Sequence, residues 1–151
     1  MEEENPGLGI NYKTIDNIRW STNVPITYFD RSVNDTLSIR AYGTYSCNVS
    51  DMSYLENGTL KAETNVTISD ELTNAISEVA QTKGFGNLSD FQAATMDICR
   101  EIGINVNRNF AGRGLELTRI NILGIEWTED SATRARDVQA QKGPEMFQGN
   151  W

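Results

Sequence analysis

The sequence predicts an α+β fold, an antiparallel or mixed β-sheet packed against two to three helices. Three patterns carry that prediction. From Leu37 to Val49 side-chain character alternates without a miss, with Leu37, Ile39, Ala41, Gly43, Tyr45, Cys47 and Val49 on one side. A period of two over this length is a long strand with one buried and one wetter face. A 3.6-residue period would scatter the apolar set around the axis. Residues 69–112 then carry two apolar stripes at helical spacing. Leu115 to Trp127 supplies a second long, apolar-rich extended run.

Ahead of the long strand, residues 1–9 are acidic and broken by Pro6 and two glycines, which reads as a flexible N-terminus. Ile10 to Trp20 carries a weak strand signal through Ile10, Tyr12, Ile15 and Ile18. Val24 to Phe29 is a short extended piece; Pro25 lacks an amide donor, so the strand lies at an edge or starts at the proline. Turn-rich Asp30 to Asp35 follows, and the three extended pieces suggest an antiparallel meander. Gly43 within the long strand calls for a bulge, a bend or close contact with another element. Past Val49, Asp51-Met52-Ser53 looks like a turn or a short helical start. Asn57-Gly58 is a tight-turn signal, read as a loop tip rather than a hairpin between 54–56 and 59–61.

Ser69 is the expected N-cap of the first helix, with Asp70 and Glu71 in its first turn. Leu72, Ala75, Ile76, Val79 and Ala80 form its apolar stripe, Lys83 its last turn and Gly84 its exit. Ser89 and Gln92 make a capping box for the second helix, with Leu88 stapled against Ala93. That helix buries Phe91, Ala94, Ile98, Ile102 and Val106 and ends near Ala111-Gly112, and Gly103 weakens its interior. In the last strand Leu115 and Leu117 are in one phase and Ile120 and Ile122 in the other. A bulge near Thr118–Arg119, or burial on both faces, would account for the slip. Thr128, Glu129 and Asp130 start a third helix with Ala132, Ala135 and Val138 along one side, ended by Gly143-Pro144. The resulting division is a flexible N-terminus over 1–9, a folded domain over 10–141 and a C-terminal tail over 142–151.

Composition narrows the function. The chain has 151 residues, 38% hydrophobic and 23% charged, which suits one soluble domain with its own core. A net charge of −8 argues against nucleic acid, which needs clustered cations to displace phosphate counterions. It argues equally against anionic lipid held by surface charge alone. With no histidine, Ser/His and Cys/His pairs are excluded, while Ser/Lys and Thr-based alternatives stay formally open. Cys47 and Cys99 are too few for a disulfide framework or a zinc site. They read as buried, reduced thiols, and a disulfide would need their strand and helix to touch. Gly7-Leu8-Gly9 is too short for a dinucleotide fingerprint. Met1 is followed by Glu2, Glu3 and Glu4, no signal sequence is legible, and no apolar run approaches the ~18 residues that span a bilayer. A cytoplasmic chain is expected, with the five Asn-x-Ser/Thr tripeptides at Asn34, Asn48, Asn57, Asn65 and Asn87 accidental.

Specific residues then bring a family into view. The run Arg19-Trp20-Ser21-Thr22-Asn23-Val24-Pro25-Ile26-Thr27-Tyr28-Phe29-Asp30 resembles the extended arm before the main strand of SPFH (stomatin/prohibitin/flotillin/band 7) domains. Ile39-Arg40-Ala41-Tyr42-Gly43-Thr44-Tyr45-Ser46 is similar to the central strand of the bacterial virion-core-protein-like branch, with Asp51 where that family turns. Gly114-Leu115-Glu116-Leu117-Thr118, with Ile120 and Ile122, resembles its last strand. The resemblance covers Ile18 to Gln141. It implies an SPFH-like fold, no enzymatic activity, no cofactor, and a scaffold role. Protomers of such proteins associate side by side through the domain and a following helical segment, often on a membrane. Self-association or protein partners are therefore expected, with membrane contact through flanking segments. The 151 residues show no hydrophobic anchor, short opening strands, no sustained heptads after Val138 and no zinc-ribbon tail. Those departures suggest an excised domain or a divergent member working alone.

Arg40, Tyr42, Trp127 and Arg134 are the candidate interface. Arg40 and Tyr42 face away from the strand's apolar side, toward a neighbouring protomer, a helix or water. Trp127 lies between the last strand and the third helix, as an interface anchor or a core residue. Arg134 follows Asp130 by four residues, the spacing of a weak helical ion pair. Glu126, Glu129 and Asp130 are the one dense carboxylate group beside an aromatic. Such a group can serve acid–base chemistry or calcium, although the spacing fits favourable charge at a helix start. No catalytic, cofactor-binding or metal-ligating residue is expected. The competing reading is a small-molecule or lipid-binding α+β module, which needs a cavity roofed by helices beneath Leu37, Ile39 and Tyr45.

Overall fold

The computed structural model describes the backbone of residues 2–5 and 10–150 and the side chains of residues 12–140. Its centre is strand β4 (Asp35–Val49), and every long strand pairs antiparallel with it or with its neighbour. β7 (Leu115–Trp127) runs along one edge of β4 from Val49 to Ile39. The other edge is shared end to end: β3 (Ile26–Asp30) pairs with residues 35–39, and β2 (Ile10–Ser21) with residues 42–49. Thr22 closes the gap between them, its N–H donating to the Ala41 carbonyl at 2.9 Å and its Oγ1 accepting the Ala41 N–H at 3.3 Å. The expected meander is thus corrected: β3 and β4 form a hairpin, but β2 and β3 are collinear rather than paired. β1 (Glu2–Asn5) pairs with residues 10–13, while residues 1 and 6–9 of the expected flexible N-terminus lie outside the described residues.

Three bulges decide which side chains reach the core. In β2 the register slips between Ile15 and Ile18, so Asp16 and Asn17 together oppose Ser46, with Asn17 at φ 55°. The slip keeps Ile15, Ile18 and Trp20 on one face despite their uneven spacing. In β7 Thr118 and Leu123 are the extra residues. They put Leu115 and Leu117, then Ile120 and Ile122, then Ile125 and Trp127 on the inner face. The first of these bulges is the one expected at Thr118–Arg119; the second was not legible.

The inner face is covered by α1 (Ala62–Lys83), α2 (Leu88–Ala93) and α3 (Thr95–Phe110). Leu37, Ile39, Tyr45 and Val49 join Ile68, Leu72, Ile76, Phe91, Ile98, Ile102 and Val106 in one completely buried cluster. No water-sized space touches Leu37, Ile39 or Tyr45, so the ligand cavity proposed beneath them is filled by protein. The outer face carries Arg40, Tyr42, Thr44 and Asn48, with Glu116, Asn121 and Glu126 from β7, and lies open to water. Helix side chains occupy the free edge of β7. Asn107 accepts the Leu117 N–H at 2.7 Å and donates to its carbonyl at 2.8 Å, and Gln92 donates to the Ile125 carbonyl at 3.0 Å. Those bonds remove the template an exposed edge would offer to another chain.

Helix boundaries differ from expectation for tertiary reasons. α1 begins two turns before Ser69, at Ala62, with Lys61 capping only through its backbone. The β-branched run Thr64–Ile68 is a poor helix former, but Thr64, Ile68 and Leu72 extend the buried stripe. Asn65 also accepts the Tyr45 hydroxyl at 2.6 Å and donates to the Arg19 carbonyl at 3.1 Å. Asn57 and Gly58, both at positive φ, turn a hairpin between β5 (Leu55–Glu56) and β6 (Thr59–Leu60), where a loop tip was expected. The second helix is two, broken at Ala94, and its cap is Asn87 rather than Ser89, its Oδ1 accepting the Asp90 N–H at 2.8 Å. Gly143-Pro144 does not end the last helix: α4 runs from Glu129 to Asn150.

Gly103 has an ordinary helical backbone, and a Cβ there would lie 3.5 Å from Ile120 Cδ1, a normal contact. Gly103→Ala should therefore stabilise the domain by about 0.5–1 kcal/mol by removing the glycine's backbone entropy. A higher urea midpoint at unchanged slope is the expected readout; a lower one would mean that α3 needs a bare backbone against β7.

Candidate assembly surface

The junction of β7 and α4 gathers most of the residues singled out by sequence. Thr128 caps α4: its N–H donates to the Ser38 carbonyl at 3.0 Å and its Oγ1 accepts the Ser131 N–H at 3.3 Å. Ser131 Oγ in turn accepts the Ser38 N–H at 2.8 Å. The helix thereby continues the β4–β7 ladder by one residue where β7 stops. Ser131 and Ala135 are buried and Val138 half-buried, so the first turns of α4 rest on the sheet.

Arg40 and Glu126 stand directly opposite each other on the open face. With Trp127, Thr128, Glu129, Asp130 and Thr133 they line a shallow cleft of ≈ 710 Å³ at the root of α4. Tyr42 lies two residues along the same face, 43% exposed, its ring seated over Gly124, where a Cβ would come within 2.4 Å of it. Arg40 and Tyr42 are exposed and make no side-chain hydrogen bond or ion pair among the described residues. Trp127 and Arg134 are engaged. Trp127 points to the inner face, half-buried, and its Nε1–H donates to Tyr28 Oη at 2.8 Å. Arg134 bridges Asp35 at 3.0 Å and Asp130 at 3.3 Å, tying α4 to the β3–β4 turn. A half-exposed pair of this kind contributes about 0.5 kcal/mol, so its role is to orient the helix.

Trp127 opens a buried polar relay that sequence reasoning missed. The Tyr28 hydroxyl donates to Asp30 Oδ2 at 2.6 Å, and Asp30, fully buried, also accepts the Ser32 N–H, the Ser32 hydroxyl and the Val33 N–H. Burial alone would raise the Asp30 pKa, but the hydrogen bonds from Ser32 and Tyr28 outweigh it and hold the carboxyl below its usual range. Burial, with the Asp30 hydrogen bond, pushes the Tyr28 hydroxyl well above the usual phenol value. The Asp30-x-Ser32 spacing, a local side-chain-to-backbone turn, was the available signal.

The remaining chemistry is quiet. Burial, reinforced by the charge of Asp16, pushes the Cys47 thiol up to about 12. Burial also raises Cys99, against the lowering effect of the Ile122 N–H. Both cysteines are free and protonated at neutral pH, so neither offers a thiolate nucleophile. Among the described residues no three His, Cys, Asp or Glu side chains converge as a metal site, Glu126, Glu129 and Asp130 included. No described helix is long and apolar enough to cross a membrane.

Comparison with curated proteins returned no match. Against family profiles, residues 8–142 match the SPFH domain-Band 7 family. The match takes in the whole sheet from Ile10 onward, the three helices on its inner face and the root of α4. The chain therefore belongs to the SPFH domain-Band 7 family, whose members are generally membrane-associated, self-associating scaffolds rather than enzymes.

Proposed function

We propose that this chain is a non-catalytic assembly module that joins copies of itself or protein partners, and that its working surface is the root of α4 with the adjoining open face of the sheet. The observation that carries this reading is the anchoring of α4. Ser38, Asp35 and the Trp127–Tyr28 bond fix its first turns to the β3–β4 hairpin, while Arg40 and Tyr42 beside it make no side-chain hydrogen bond or ion pair among the described residues. A helix of 22 residues is about 33 Å long, so a rigidly held root sets the direction of a long contact surface. The family's general habit of self-association supports the same reading. The Arg40–Ser46 run supports the finer assignment to the bacterial virion-core-protein-like branch. Organisation of a membrane microdomain, with the domain at the cytoplasmic side and lipid contact made by flanking segments, follows from that assignment. Residues 10–141 act as the folded unit in this scheme.

Sedimentation velocity over a concentration series tests the proposal. Association should rise with concentration, and the double change Arg40→Glu, Tyr42→Ala should weaken it at least about tenfold, as loss of a buried aromatic and arginine anchor does. A chain that stays monomeric at every concentration, or associates equally well with both residues changed, would overturn it.

A further inference from the structure

A second cleft lies away from the α4 root, across the open sheet face at the level of Gly43 and around the β2 edge to α1. It measures ≈ 630 Å³, within the range of small-molecule sites. Of the described residues lining it, Arg19 alone carries charge, and its guanidinium is exposed and makes no ion pair or hydrogen bond. Asp70, just outside, is already engaged by Asn23 Nδ2 at 2.7 Å. A lone unpaired cation is a notable lining in a chain of net charge −8. The cleft also holds Ser69, only 4% exposed, whose hydroxyl has no hydrogen-bond partner among the described residues. The hydroxyl is not enclosed by protein, so it faces the water of the cleft, where a ligand's polar atom can take that water's place. Around these two groups stand Leu123, 67% exposed, Val66, 54% exposed, and the ring of Tyr42, with the almost wholly buried Trp20 as the floor.

The combination is amphipathic, one cation and one free hydroxyl beside apolar side chains that protein leaves uncovered. We propose that this cleft binds a small anionic amphiphile, a carboxylate or phosphate head group on a short apolar chain. The head group pairs with Arg19 and accepts from Ser69, and the chain lies against Val66, Leu123 and Tyr42. Leu123 is there because it is the extra residue of the second β7 bulge, and Trp20 because Gly43 opposite it has no side chain. The site shares Tyr42 with the assembly surface but not the α4 root, and its test changes only Arg19 and Leu123, so its failure is distinguishable from failure of the assembly role.

The test is a ¹H–¹⁵N NMR titration of the 151-residue chain with decyl phosphate, decanoate, inorganic phosphate and the uncharged decyl maltoside, each below its micellar concentration. Phosphatidylglycerol vesicles form a separate arm. Both anionic amphiphiles should shift the Trp20 indole N–H and the Val66 and Ser69 amides. Arg19→Gln should raise their Kd about tenfold, the loss expected for a charge-assisted hydrogen bond, Arg19→Lys should restore most of the affinity, and Leu123→Glu should repel them. Both positions are exposed, so the variants should keep the parent melting temperature. Equal binding of decyl maltoside, or binding indifferent to Arg19→Gln, would overturn the proposal. So would inorganic phosphate binding as tightly as decyl phosphate, or vesicle binding without any shift by the monomeric amphiphiles.

Discussion

Gly43→Ala should cost at least about 3 kcal/mol and lower the Tm by on the order of 10 °C, the upper end of what overpacking does in a core. Gly43 has no unusual φ, so the reason is space. A Cβ there would fall 1.9 Å from the Asn121 carbonyl oxygen and 3.1 Å from Ile122 Cα, backbone atoms of the β7 segment that bulges at Leu123. No side chain can swing aside to admit it. Trp20 sits opposite in register and donates its indole N–H to the Thr44 carbonyl at 3.2 Å, so the added methyl would also disturb the aromatic covering the gap. Gly124→Ala is the control. The three atoms nearest its Cβ would all belong to the end of the Tyr42 ring, which is exposed and can turn aside, so that change should cost less than about 1.5 kcal/mol. Urea unfolding of both variants, followed by circular dichroism, settles the order. Equal costs would mean that the β4–β7 bulge relaxes more easily than its geometry implies.

The same bulges explain which parts of the fold were legible. β4 has none, and its residues alternate perfectly; the sequence showed that strand end to end. β2 shifts phase at Asp16–Asn17 and β7 at Thr118 and Leu123, so a period-two reading weakened in the first and slipped in the second. A bulge hides a strand because it moves every later side chain to the other face. The start of α1 was lost differently: Thr64, Val66, Thr67 and Ile68 look unlike a helix, and only burial and the Asn65 contacts, set by distant residues, make them one. At the candidate surface, Arg40 and Tyr42 could be placed because a strand's outward face follows from its inward one. The Asp130 partner of Arg134 was legible from its four-residue spacing, but Tyr28 for Trp127 and Asp35 for Arg134 were not, since each lies 99 residues away in sequence.

That long-range contact extends the reach of Asp30 to the root of α4. Its carboxylate accepts from Tyr28, Ser32 and Val33 without contact with water. Asp30→Ala would leave the buried Val33 N–H and Tyr28 hydroxyl without their acceptor in the core, at a cost of about 3 kcal/mol. Asp30→Asn separates charge from shape. The folded carboxyl titrates below its usual value near 3.8, so its contribution is complete above about pH 4. That contribution is lost as pH falls through the lower, folded value. The parent chain should therefore lose stability between pH 4 and the acid limit more steeply than Asp30→Asn, and the gap between them should be widest near neutrality. Urea midpoints across that range supply the measurement, and a gap independent of pH would refute the charge argument. Because Tyr28 links Asp30 to Trp127, removal of the carboxylate should also speed hydrogen exchange at the Trp127 indole N–H. Unchanged exchange there would mean that the root of α4 is held by Ser38 and Asp35 alone.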